Sequence, residues 1–132
     1  MNDITRQPNS GEFLFKEITQ AIIGAAFEVH KNLGYGYLEK VYQRAMQVEL
    51  RQRGLSAALE HPIKVHYKGV VVGDYAADLF VEEKVMVELK VAPEYCSSDE
   101  AQLINELVST GVKVGLLINF GRERVEFKRL VH

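Results

Sequence analysis

Cysteine is almost missing from this chain. Cys96 is the single one in 132 residues, so no internal disulfide can form and a reducing, cytoplasmic setting is expected. Long apolar runs are missing as well. No stretch approaches the length needed to span a bilayer, and the N-terminus has no apolar core of the signal-peptide kind, so no membrane partner is expected. Positive charge is not in excess. A formal net charge of −2 argues against a tight, salt-resistant grip on duplex nucleic acid, and leaves room only for a weak one in a local basic groove. Repeats and low-complexity tracts are absent. What is present is a globular composition, 47% apolar and 26% charged, in a chain long enough to bury its own core. The expected organisation is a loose polar tail over 1–11, containing Pro8 and Gly11, followed by one domain over 12–132.

The stretch from Tyr75 to Val91 reads as two strands around a charged turn. In the second, Val85, Val87, Leu89 and Val91 alternate with Met86, Glu88 and Lys90, so Glu88 and Lys90 emerge on one face. In the first, Asp78 shares a face with Asp74, Ala76 and Phe80. A hairpin turning at Glu83 sets Asp78 opposite Glu88, with the Lys90 amine two residues further on. Two carboxylates at that separation repel unless a cation sits between them. Without metal, at least one of them is expected to hold its proton above the ordinary range. Oxygen ligands of this kind suit hard divalent cations such as Mg2+.

Around this hairpin the chain reads as follows. A helix is expected from Glu12 to about Lys31, with Ile18, Ala21, Ile22, Ala25 and Val29 on one stripe and His30 as a half-exposed C-terminal histidine. Asn32 to Gly36 breaks it. A second helix runs from about Leu38 to Arg53, ended by Gly54. At roughly 100° per residue, Glu39 falls in line with Met46 and Leu50, an apolar stripe in which an unpaired carboxylate is costly. Ser56 to Val81 resembles a β-meander, with a turn at Lys68-Gly69 and a bulge or bend near the site at Gly73. His61 and His66 have no soft ligand in regular spacing with them, so zinc is not expected. Ser97-Ser98-Asp99-Glu100 has the residues of a capping box. The helix it opens runs to Thr110, with Leu103, Ile104, Leu107 and Val108 as its buried face. The apolar run Val112–Phe120 suits a central strand, parallel to the strand at 85–91 across that helix. A last strand covers about Arg124 to Val131. Cys96 lies in a loop with no base partner beside it.

Asp78, nine intervening residues, then Glu88-Leu89-Lys90 resembles the D…(D/E)-x-K signature of the PD-(D/E)xK nuclease superfamily, with Ala77 where a proline is usual. Gly36-Tyr37-Leu38-Glu39-Lys40-Val41-Tyr42 completes a G-x-x-E-x-x-Y motif, and the element order over roughly 12–131 is similar to that of the GxxExxY proteins, a small branch of that superfamily. The resemblance implies an α/β, restriction-endonuclease-like fold. Its mixed central sheet would carry the two N-terminal helices on one side and the crossover helix on the other. It implies Mg2+ or Mn2+ held by Asp78, Glu88, Glu39 and the backbone carbonyl of Leu89. It further implies that Lys90 orients the attacking water, with Gln102 and Tyr42 as accessory hydrogen-bonding groups.

The function implied is a metal-dependent nuclease or nuclease-like DNA-processing protein. The alternative is a catalytically weak or inactive nuclease-fold binding module, acting through a protein or nucleic-acid partner or as a homodimer. A third reading makes Asp78, Glu88 and Lys90 a salt-bridged structural cluster without metal.

Overall fold

The structure, a computed structural model, describes residues 14–132; the polar stretch 1–11 lies outside the described residues. Two helices, α1 (Lys16–Leu33) and α2 (Glu39–Gln52), come first. Strands β1 (Ala57–Tyr67), β2 (Val70–Val81) and β3 (Val85–Lys90) follow, then helix α3 (Ser97–Thr110) and strands β4 (Val114–Asn119) and β5 (Glu126–Val131). The strands form one sheet in the order β1-β2-β3-β4-β5. Every neighbouring pair is antiparallel except β3–β4, which α3 joins as a parallel crossover.

Each face of the sheet carries its own core. On one, Ile22, Ala25 and Val29 of α1 and Tyr42, Met46 and Leu50 of α2 pack against Leu79, Val87, Leu89, Ile118 and Phe120. On the other, Leu103 and Leu107 of α3 pack against Ile63, Met86, Leu117 and Leu130. The expected sidedness of the helices is therefore present, and β4 is covered on both faces, as its unbroken apolar sequence requires. α2 starts just beyond Gly36, which sits at φ +114°, a conformation that suits glycine and brings the first turn of α2 in over the sheet.

Three local expectations change. Val108 is 55% exposed, because α3 turns Glu106 inward instead, at 6% exposure. The capping box does not form: Cys96 is the N-cap of α3 and no side chain caps it, while Asp99 and Glu100 reach out to Lys90 and Lys128. The hairpin turn at Lys68-Gly69 is present, with φ +50° and +81°. The bulge beside Gly73 leaves Val72 out of the ladder (Val65 pairs Gly73, His66 pairs Val71), so it lies near the hairpin tip and not at the site. The irregularity that shapes the site is a different one. Leu59 pairs Leu79 and His61 pairs Ala77, but between them Glu60 takes φ +56° and Glu60–Asp78 drops out of the ladder. Leu79 faces the α1/α2 core and Ala77 the α3 core, so the period-2 alternation of β2 breaks at Asp78.

Candidate active site

The β2–β3 ladder runs Val81↔Val85, Phe80↔Met86, Leu79↔Val87 and stops. Continued by one step it would pair Asp78 with Glu88. Instead the strands part, and the Asp78 side chain takes over as acceptor: Leu89 N–H donates to Oδ2 at 2.7 Å. Beyond this point β3 bonds only to β4, where the Lys90 carbonyl accepts Phe120 N–H at 2.8 Å. In an extended strand the N–H and C=O of one residue point the same way, so the Leu89 carbonyl also faces the opening between the strands.

Acidic groups enter this opening from both layers. Glu39 opens α2, and one turn on Gln43 donates to the Asp78 carbonyl at 2.9 Å and to Glu60 Oε1 at 3.2 Å, latching the helix to β1 and β2. The Glu39 carboxyl is within hydrogen-bonding reach of Asp78. Its pKa is pushed up to about 7, first by burial and then by the Asp78 charge. The helix N-terminus, which favours a charged carboxylate, does not outweigh those two effects. From the other layer Glu88 meets Glu106 of α3. Burial, then the charges of Asp78 and Glu106, push Glu88 up to about 9. Lys90 lowers both glutamates, by less than burial and crowding raise them. Glu106 Oε2 accepts from Gln102 Nε2 at 3.0 Å, whereas its buried Oε1 has no hydrogen-bond partner.

Asp78, Glu88, Glu39, Lys90 and the Leu89 backbone are therefore brought together, with Gln102 one residue removed through Glu106. Tyr42 is not. It is fully buried, stacks on Phe120 at 4.6 Å, and its hydroxyl donates to the Gly34 carbonyl at 2.6 Å and accepts from Tyr37 N–H at 3.3 Å. It ties down the loop that leads into Glu39 and offers no group to the opening. The ion pair of Lys90 is with Asp99, at 3.8 Å and partly exposed, so the salt-bridged cluster of Lys90 with Asp78 and Glu88 is not what forms. Glu106, Gln43 and Glu60 join the residues expected from the sequence. Glu106 carries a signal akin to that of Glu39, a carboxylate on the apolar side of a helix, here three residues from the core Leu103. Gln43 lies one turn beyond Glu39 on the same stripe.

The donor chemistry, all hard oxygen and crowded enough to hold protons, suits a divalent cation. In the arrangement seen, however, the acids form two pairs, Glu39 with Asp78 and Glu88 with Glu106. Among the described residues no three His, Cys, Asp or Glu side chains surround one point. Loading a cation between Asp78 and Glu88 thus means releasing protons from Glu39 and Glu88 and turning Glu88 away from Glu106.

No curated protein matches the chain. Among solved structures it is similar to a crystal structure of SSO0001, with a TM-score of 0.56 and 15% identity over 71% of this chain and 50% of that one. The chain thus spans half the length of that structure, and the likeness concerns the fold alone. A family model described as the PD-(D/E)XK nuclease superfamily matches residues 16–130. That match takes in both N-terminal helices, the crossover helix and all five strands except the last residue of β5, and the chain therefore belongs to the PD-(D/E)XK nuclease superfamily.

Proposed function

We propose that this chain is a metal-dependent nuclease of the GxxExxY branch, hydrolysing phosphodiester bonds, with DNA as the first substrate to test and Mg2+ or Mn2+ as the cation. The observation that carries this reading is the parting of β2 and β3, which leaves Asp78 between Glu39 and Glu88 with Lys90 alongside. Asp78, Glu88 and Glu39 would hold the cation, joined by the Leu89 carbonyl. Such a cation supplies Lewis acidity, lowering the pKa of a bound water and offsetting charge on the phosphate. The Lys90 ammonium orients the attacking water and stabilises the charge that develops on the phosphate oxygens. Gln102 acts at one remove, through its hydrogen bond to Glu106 Oε2. Residues 12–132 act as one nuclease-like domain in the cytoplasm, alone, as a homodimer or with a protein partner. No helix among the described residues is long and apolar enough to cross a membrane.

One observation favours the runner-up, a binding module with a silent site: Glu88 is paired with Glu106 and held far above the usual carboxylate range. Cleavage assays on single- and double-stranded DNA and RNA, in Mg2+ and in Mn2+, separate the two. Nicking or degradation by the parent, lost in Asp78→Ala and in Lys90→Ala, supports the nuclease. Tight nucleic-acid or protein binding with no cleavage in either metal supports the module.

A further inference from the structure

A cavity of about 500 Å³ opens directly beside Lys90. Its floor is the sheet face of β3, β4 and β5, presenting Lys90, Leu117 and Lys128; its wall is the segment after β3, with Ala92 and Tyr95, and the first turn of α3, with Asp99. We propose that this cavity is a nucleotide subsite, which takes one unpaired base of a single-stranded nucleic acid, stacked on Tyr95, next to the phosphate that lies at the carboxylates. The proposal rests on the nuclease reading and names the form of substrate that the site takes.

Four observations point this way. The volume is that of a pocket for a small ligand, so it admits one nucleotide and not a paired helix. Tyr95 is 58% exposed, lines the cavity, and among the described residues its ring stacks on no other side chain. An aromatic so placed stacks any base, whatever its sequence.

The segment that bears Tyr95 is firmly rooted. Asn119 grips Ala92 at both polar groups, accepting from its N–H at 3.0 Å and donating to its carbonyl at 2.9 Å. Gly121 packs so closely on Val91 and Ala92 that a Cβ there would lie 2.4 Å from backbone.

Finally, the two ammonium groups leave strands that are two apart in the sheet, a backbone separation of roughly 10 Å. Among the described residues each makes one ion pair, to the first turn of α3, Lys90 to Asp99 at 3.8 Å and Lys128 to Glu100 at 3.4 Å, and each can turn from it to a phosphate. The rim also carries Glu94 and Glu126. These repel a long phosphate track, as does the net charge of −2, but they accept hydrogen bonds from exocyclic amines of cytosine or adenine.

The test is equilibrium binding by fluorescence anisotropy, in chelator, of a labelled 12-nucleotide single strand, of the same strand made duplex, and of the same strand with one abasic position. DNA and RNA versions distinguish the two sources of the base. A strand carrying 2-aminopurine reports stacking by quenching. The parent should bind the single strand more tightly than the duplex and quench 2-aminopurine. Tyr95→Ala should weaken single-strand binding on the order of tenfold, about 1.4 kcal/mol, and remove the quenching. Tyr95→Phe should restore both. Both variants are checked for folding by circular dichroism.

The subsite is overturned if the abasic strand binds as well as the intact one, if Tyr95→Ala binds like the parent, if the duplex is preferred, or if no single strand binds at all. Asp78→Ala keeps this failure apart from failure of the nuclease reading. Tyr95-dependent binding that survives in Asp78→Ala, with no cleavage by any form, sinks the nuclease and leaves the subsite standing. Cleavage that is indifferent to Tyr95 does the reverse.

Discussion

The two ends of the β2–β3 hairpin are built on opposite rules, although only a few residues separate them. At the turn end, Leu79, Val81, Val85 and Val87 are all fully buried against α1 and α2, with Met86 buried on the other face. Here the backbone closes its own ladder and side chains do the packing. At the far end the ladder opens, a side-chain carboxylate replaces a strand carbonyl as acceptor, and two glutamates are held above their ordinary range. The first end supplies fold stability. The second gives some up, because burying acids near one another raises the free energy of the metal-free protein. Chemistry in this molecule is placed where regular structure stops, and the closed end is what holds the opening in shape.

The contrast breaks most visibly if neighbouring residues are swapped in role. Leu79→Ala should cost about 2–5 kcal/mol in urea denaturation, the usual range for truncating a core leucine. Asp78→Asn, one residue away, should be neutral or stabilising in chelator: the amide oxygen still accepts the Leu89 N–H, while the charge that raises Glu39 and Glu88 is gone. The same variant should lose Mg2+ binding by calorimetry, since it removes an anionic ligand. If Asp78→Asn destabilised the domain as much as Leu79→Ala, the two ends would not differ in the way described.

The closed end was legible in the sequence, because β-strand alternation is local. Val85, Val87 and Leu89 announce one face, and a turn centred on Glu83 sets Leu79 against Val87, the observed register. The same arithmetic placed Asp78 across from Glu88. That the strands part there was not legible. It depends on Glu60 adopting a positive φ and on Gln43 reaching from α2 to the Asp78 carbonyl, neither of which leaves a mark in the periodicity of 75–91. Glu106 was readable in principle. Leu103, Ile104, Leu107 and Val108 make the more apolar stripe of α3, but the helix is rotated so that Glu106 turns inward and Val108 outward. For Tyr42 the helical position was sound, but the hydroxyl's direction follows the loop at 34–37, a tertiary contact that helical spacing cannot report.

Acidity offers a second way to sharpen the comparison. Glu39 and Glu88 have folded pKa values above their unfolded ones. Both states carry the proton at low pH. As pH rises past the ordinary carboxylate range the unfolded state ionises first, so metal-free stability should fall progressively, with the change complete near pH 7 for Glu39 and near pH 9 for Glu88. This is opposite in sign to the trend of a salt-bridged aspartate. Thermal melts in chelator across pH 5–9 should show the decline in the parent and a flatter profile in Glu88→Gln. Added Mg2+ should oppose the decline, and its apparent affinity should rise with pH as the protons it displaces become easier to lose. A parent whose melting temperature rose over this range, and rose equally in Glu88→Gln, would remove the crowded acids from the account.

Tyr42 tests whether the loop before α2 belongs to the closed or the open regime. Tyr42→Phe keeps the stack on Phe120 and deletes the hydroxyl, leaving the Gly34 carbonyl without its 2.6 Å donor. The loss should be about 1 kcal/mol, that of one net hydrogen bond. Mg2+ affinity should stay at the parent's value, because the hydroxyl faces away from the carboxylates. A large drop in metal affinity with stability intact would return Tyr42 to the site.

The smallest stability effect should come from Lys90. Its ion pair with Asp99 is 3.8 Å long, and both side chains are partly exposed, which places it among pairs worth about 0–1 kcal/mol. Lys90→Ala in chelator should therefore melt within that margin of the parent. Two small changes of the same sign contribute: the weak pair with Asp99 is lost, and Glu39 and Glu88 lose the ammonium that lowers them, which costs little while the two glutamates keep their protons. Metal binding should persist, because an ammonium is no ligand for a cation, whereas cleavage should fall to background. The structural-cluster reading predicts the reverse, since a lysine that neutralises two buried carboxylates cannot be removed for less than about 3–5 kcal/mol. A drop of that size, with no stabilisation of the parent by Mg2+, would mean that the open end of the hairpin is a piece of architecture and not a site.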